Sequence, residues 1–221
     1  MHSRFSDGGD SPEEVIEEAL RCGFDYLGFA EHFSPTQSLW LYPGCYLMTK
    51  DVARYVEYLH ILKIRYQDKI RVLIGLEIYT IGSRVLDLPF DEFIGIDFLL
   101  FEDMHDDPNP VETLRLLRLK LPHKPIGLAH FDFSCVNAQS LLSALVDLNV
   151  FLELNTSYAQ LYRQQELVFR KLAHTKLLIS ICSDAHNLKD ISATTDAEDF
   201  VLRLKLENNP LQLLKLLSVQ T

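Results

Sequence analysis

Six short apolar runs, rich in β-branched and aromatic residues, constrain the fold of this chain more than any other feature. They lie at 25–30, 71–77, 96–101, 125–129, 150–154 and 176–182. Runs this brief and this continuously hydrophobic are strands covered on both faces, because a strand with one wet face would alternate. Helix-period segments separate them. The clearest begins at Ser11-Pro12-Glu13-Glu14, where Ser11 is the N-cap, Pro12 the first helical residue and Glu14 the partner that completes a capping box. That helix is expected to run to about Arg21 and stop near Gly23. Others are expected at 49–67, 110–120, 137–147, 161–174 and 196–218, the last broken near Asn209-Pro210. Alternating strands and helices imply right-handed βαβ units and a parallel sheet, either open and doubly wound or closed into a barrel. At 221 residues, with no linker or repeat, residues 1–221 read as a single domain, shorter than the roughly 250 residues of an eight-fold barrel.

Composition narrows the possible functions. The formal charge is −10, which argues against a broad nucleic-acid footprint, since phosphate backbones are held by clustered Lys and Arg. Small substrates fit better. No stretch approaches the ~20 apolar residues of a membrane span, and no charged-then-apolar signal opens the chain, so a soluble cytoplasmic protein is expected. Cys22, Cys45, Cys135 and Cys182 form no CxxC pair and read as buried free thiols.

The informative pattern is where metal-competent side chains fall. His32 follows the run ending at Ala30, Glu77 closes the next, His105 lies four residues past Phe101, and His130 follows Ala129. Asp184 and His186 follow Cys182. Five of six strands thus deliver a candidate ligand at the same end, the end where α/β barrels build their sites. Imidazole mixed with carboxylate suits zinc, manganese or iron rather than calcium. A carboxylate such as Glu77 can bridge two cations, and paired cations suit in-line displacement at a phosphoryl group. Each residue also has a plainer reading. Ser183-Asp184-Ala185-His186 is compatible with a helix N-cap, and His105 with a hydrogen-bonding loop residue. Glu77, at the end of an apolar run, needs pairing or a metal to offset its burial. Glu31 and Asp132 flank candidate ligands, either as partners that fix a histidine tautomer or as solvated loop acids. His60, His123 and His174 read as structural or exposed. No GxSxG elbow, Walker loop or GxGxxG supports a competing chemistry.

Taken together, these residues resemble the PHP family, the polymerase and histidinol phosphatase superfamily of metal-dependent phosphoesterases. His2-Ser3-Arg4-Phe5-Ser6-Asp7-Gly8 and Ser11-Pro12-Glu13-Glu14 are similar to the family's first motif from its second histidine onward. By the same likeness, the motif's first histidine would lie before the chain begins, and the first strand is expected to be truncated. Phe29-Ala30-Glu31-His32 resembles the family's Thr-Asp-His motif, Gly75-Leu76-Glu77 its bridging glutamate, and Leu128-Ala129-His130 its third histidine motif. Ser183-Asp184-Ala185-His186 resembles its last.

The resemblance implies a distorted (β/α)7 TIM-like barrel with two or three divalent metals at its mouth. His2, Glu77 and Asp184 would hold one, Glu77, His105 and His130 a second, and Asp7, His32 and His186 a third. Asp184, His186 and Glu77 would carry the chemistry, a metal-bound hydroxide attacking a small phosphorylated substrate. The stretch before His105 departs from the family's Gly-Ser-x-His, with Glu102 or Asp103 as possible substitutes, and Glu31 stands where Asp is usual. Arg163 and Lys189, expected in βα loops, are the basic residues nearest a phosphate role. Two alternatives remain open: a PHP-type nuclease acting on nucleic acid ends, and a metal-impaired barrel kept as a binding module.

Overall fold

The computed structural model describes residues 1–35, 44–79, 82–172 and 175–206, with the side chains of 82–84 and 135 left out of the description. The chain runs α1 (Pro12–Arg21), β1 (Tyr26–Phe33), α2 (Thr49–Tyr66), β2 (Arg71–Tyr79), β3 (Phe98–Glu102), α3 (Pro110–Lys120), β4 (Ile126–Leu128), α4 (Ala138–Asp147), β5 (Phe151–Asn155), α5 (Ala159–Gln164), α6 (Glu166–Leu172), β6 (Ile179–Cys182) and α7 (Thr195–Arg203), with only short 3-10 turns among the described residues between β2 and β3. Strand order follows chain order, β1-β2-β3-β4-β5-β6, and the pairs β1–β2, β4–β5 and β5–β6 are parallel. No helix among the described residues is long and apolar enough to cross a membrane.

Two compact units divide the chain. The first comprises Met1–Tyr79, Leu88–Leu100 and Ser183–Ala193; the second comprises Thr80–Asp87, Phe101–Cys182 and Thr194–Thr221. In the first, α1 buries Val15, Ile16 and Ala19 along one face, and α2 buries Val52, Tyr55, Leu59 and Leu62 at the three- and four-residue spacing of a helix stripe. The Ser11/Glu14 capping box forms as expected, and Cys22 caps the end of α1 before Gly23 turns the chain at φ 82°. Behind β2, Gly75 leaves its backbone bare against Phe98, where an added Cβ would sit 2.3 Å from the ring. The core of the second unit centres on Tyr162, Phe169 and Phe200, stacked edge-on or tilted at 5.1–6.0 Å. There Arg118 ties the end of α3 to the start of β5 by donating to the carbonyls of Leu121, Lys124, Leu148 and Asn149.

Several expectations need correction. β1 does not stop at Ala30, nor β2 at Glu77. Their parallel register continues to Phe33 and Ile78, which places His32 opposite Glu77 inside the sheet rather than beyond it. The helix expected at 161–174 is two, because the Gln165 side chain turns away to the loop after β4, accepting from Phe133 N–H at 3.1 Å and donating to Asp132. Among the described residues α7 ends at Arg203, before the left-handed Lys205 at φ 56°, and the expected break near Asn209-Pro210 lies outside them. Cys22 is exposed and Cys45 and Cys182 are half-buried, not buried thiols. Cys135, His174 and the expected helical stretch 207–218 lie outside the described side chains or residues.

Candidate metal centre

The cluster in the first unit is assembled by its N-terminal turn. The Met1 carbonyl accepts from Ala30 N–H of β1 at 2.9 Å, and His2 N–H donates to the Ala185 carbonyl at 3.0 Å. The segment is thus laced between β1 and the residues after β6. Further on, Gly9 N–H donates to the His186 carbonyl at 2.8 Å, and Leu188 N–H to Asp10 Oδ2 at 3.0 Å. Gly8 folds against the His2-Ser3 backbone so closely that a Cβ would lie 2.5 Å from it, which explains a glycine there.

Glu31 holds this turn from beneath. Fully buried, its carboxylate accepts from Ser3 N–H at 3.0 Å, Ser3 Oγ–H at 2.6 Å and Ser6 Oγ–H at 2.6 Å. It is therefore neither a solvated loop acid nor a histidine's partner: it anchors the strip that carries His2 and Asp7. Charged acceptors of this kind are worth roughly 1.5–3 kcal/mol per bond, which offsets the desolvation of the carboxylate.

Two groups of donor atoms converge on this framework. His2 Nε2 lies 3.1 Å from Asp184 Oδ1 and 3.5 Å from Glu77 Oε2. Asp7 Oδ2 lies 3.6 Å from His32 Nε2 and 3.4 Å from His186 Nε2, while Asp7 Oδ1 lies 3.7 Å from His2 Nδ1. Within each group the ligand atoms fall within 4.8 Å of one another. A tetrahedron of donors about 2.1 Å from a zinc ion has edges of about 3.4 Å, so these separations suit a divalent ion. His186 Nδ1 is 3.0 Å from the Asp184 carbonyl, which can only accept, so Nδ1 carries the proton and donates it while Nε2 keeps the free electron pair. Asp184 itself takes φ 51°, a conformation unusual for a non-glycine residue that turns the chain directly after β6.

The electrostatics match a cation site. Burial works to lower the His2 pKa, but Asp184 and Glu77 outweigh it and hold the imidazole above its ordinary value. Burial opposes ionisation of Asp7, yet His186, His32 and His2 bring its carboxyl down to about 2. Burial and Glu77 likewise oppose ionisation of Asp184, and His2 still holds it below the usual carboxylate range. The imidazoles are stacked face to face, His2 on His32 at 4.4 Å and on His186 at 4.2 Å. Ionised carboxylates around packed imidazoles are the arrangement a divalent cation would satisfy.

The remaining candidate metal ligands belong to the second unit. His130, at φ 32° after β4, stacks on Tyr158 at 4.3 Å and 8°. His105 sits in a single 3-10 turn, Met104–Asp106, with Nε2 4.0 Å from both Asp103 and Asp106, and it borders a cavity of about 680 Å³. Asp103 takes φ 55°, and Glu102 is buried at the end of β3. Asp132 accepts from Ser134 N–H at 2.7 Å and from Gln165, capping its own turn. Arg163 lies in α5 rather than a loop and pairs with Asp196 at 3.0 Å, whereas Lys189 is in the short turn after β6. His60 and His123 are exposed. The residues that sequence reasoning missed are Ser3 and Ser6. Their only signal was a buried Glu on the neighbouring strand in need of donors.

Comparison with known proteins gives the fold and the family. The chain resembles a Lactococcus lactis histidinol phosphate phosphatase solved with zinc, L-histidinol and phosphate, with a TM-score of 0.63 at 19% identity, covering 92% of this chain and 91% of that one. A Listeria monocytogenes structure assigned as a histidinol phosphatase gives a TM-score of 0.60 at 14% identity, covering 89% and 97%. The fold is the α/β TIM-like barrel of these proteins. A Bacillus subtilis DNA polymerase/3'-5' exonuclease, PolX, is 25% identical over 200 residues; the match takes in 86% of this chain but spans only 34% of that relative's length. The model of the PHP domain matches residues 1–187, and the chain belongs to the PHP domain family.

Proposed function

We propose that this chain is a metal-dependent phosphoesterase acting on a small phosphate ester, its residues 1–221 forming one PHP domain. The observation that supports this most is the pair of donor groups that share His2: His2, Glu77 and Asp184 on one side, and His2, Asp7, His32 and His186 on the other. In this reading two or three zinc, manganese or iron ions are held by His2, Asp7, His32, Glu77, His105, His130, Asp184 and His186. Divalent ions at such a site lower the pKa of coordinated water and neutralise charge on a phosphoryl group.

The chain's own residues set the conditions for that chemistry. The Asp184 carbonyl fixes the His186 tautomer, so Nε2 faces the cluster as a donor. Glu77 and Asp184 confine the His2 imidazole between two carboxylates. Glu31 and the two serines keep the strip carrying His2 and Asp7 from shifting, and positioning of this kind decides rate as well as binding. The Lactococcus relative's zinc, histidinol and phosphate support a small phosphorylated substrate.

The test is phosphate release from a broad panel of monoesters by the full chain loaded with manganese or zinc. Hydrolysis of at least one ester well above the metal-free rate is expected; none on any ester would overturn the reading. One observation favours a second reading, a nuclease acting on nucleic acid ends: the 25% identity to an exonuclease-bearing polymerase. Faster degradation of single-stranded DNA than of any small ester would establish it instead. The net charge of −10 weighs against it.

A further inference from the structure

Beside the cluster, still within the first unit, lies a cavity of about 460 Å³ lined by residues that the metal centre does not use, among them Arg4, Phe5, Tyr46, Asp51, Arg54 and Tyr58. It abuts the donor set directly, because the Tyr46 ring lies 5.1 Å from that of His32, and Arg4 and Phe5 belong to the same turn as His2 and Asp7. Three of its side chains are aromatic. Phe5 packs edge-on against Tyr58 at 5.4 Å and against the buried Tyr55 at 5.3 Å, so the ring wall is braced from behind.

The charged groups of the cavity are not balanced. Asp51 is engaged at the start of α2, where its carboxylate accepts from Met48 N–H at 3.3 Å. Arg54 makes no ion pair or hydrogen bond with the described residues. Arg4 is steadied by its Nε donating to the Gly9 carbonyl at 2.8 Å, and its Nη2 has only a long approach of 3.9 Å to Glu14. Two arginines lining one cavity, Arg54 without a partner among the described residues, stand out in a chain whose net charge is −10. Guanidinium groups bind carboxylate and phosphate oxygens through paired N–H donors, and aromatic walls hold flat rings.

We propose that this cavity receives the alcohol portion of the phosphate ester and selects alcohols that combine an aromatic ring with a second anionic group. The proposal deepens the phosphoesterase reading and rests on it for the reaction. It separates this chain from its Lactococcus relative, whose bound alcohol, histidinol, carries an amine.

Three esters test it on the full metal-loaded chain: phenyl phosphate, 4-carboxyphenyl phosphate and 4-(aminomethyl)phenyl phosphate. The carboxylate ester should show a kcat/KM about three- to tenfold above phenyl phosphate, carried mainly by KM, with the amine ester lowest. In Arg54→Gln and in Arg4→Gln the carboxylate-to-phenyl ratio should fall toward one, and Arg54→Lys should restore part of it. Binding gives a readout independent of turnover. By calorimetry, 4-hydroxybenzoate should bind wild type more tightly than phenol, and the difference should vanish in Arg54→Gln. Arg54 is exposed, so that variant tests the proposal without threatening the fold. Equal or reversed preference in wild type, or a preference that survives both arginine substitutions, would overturn the proposal. If no ester is hydrolysed, the phosphoesterase reading fails, and the calorimetric comparison still decides whether the cavity prefers an anion.

Discussion

The donor residues of the first unit come from an N-terminal turn, two paired strands and the segment after β6, whereas the histidines of the second follow single strands, and the chain supports the two sets very differently. His2 is 1% exposed, hydrogen-bonded through its backbone to Ala185, with its ring held by two carboxylates and two neighbouring imidazoles. His105 stands in a short acidic turn after a left-handed Asp103, and the carboxylates near its Nε2 are 4.0 Å away. Residue type and strand-end position are therefore not enough to make a ligand site. What distinguishes the first unit is that register, backbone hydrogen bonds and a buried anchor hold every donor in place.

The largest effect should come from Glu77→Gln. It removes a carboxylate from the better-supported cluster, and kcat/KM on whichever ester the chain prefers should fall at least ~100-fold, beyond the loss typical of an indirect metal-site partner. Glu31→Ala should come next. It leaves two serine hydroxyls and a buried N–H without their acceptor, and chemical denaturation should report a stability loss of about 3 kcal/mol, with metal affinity weakened as the His2 strip loosens. His105→Ala should be smallest, at most about tenfold in kcat/KM with stability nearly unchanged. A His105→Ala loss as large as that of Glu77→Gln would break the contrast between the units. A Glu31→Ala variant with wild-type stability and metal affinity would remove the anchoring argument.

Local signals carried much of this molecule. The bounds of α1, α2 and α3 were legible because a capping box, helix-period apolar spacing and a proline at the first turn act within a few residues. His32, Glu77, Asp184 and His186 were legible because His, Asp and Glu recur at the ends of apolar runs, and His2 and Asp7 only through their likeness to the family's first motif. Features set by partners distant in sequence were not. His32 reads as a loop residue until the register that pairs it with Glu77 is known. Glu31 reads as either a histidine's partner or a solvated loop acid until Ser3 and Ser6 fold over it from 25 to 28 residues away. Gln165 reads as mid-helix until Asp132 and Phe133 draw its side chain out. In each case tertiary hydrogen bonding outweighed local propensity.

The central claim, that the first unit holds divalent metal through His2, Glu77, Asp184, Asp7, His32 and His186, is tested most directly by metal stoichiometry. The full chain, stripped with chelator, reloaded with zinc or manganese and desalted, should retain at least one ion per chain by elemental analysis. Asp184→Asn should retain distinctly less, while His105→Ala should stay close to wild type. Less than one retained ion per wild-type chain, or equal retention by Asp184→Asn and wild type, would contradict the account.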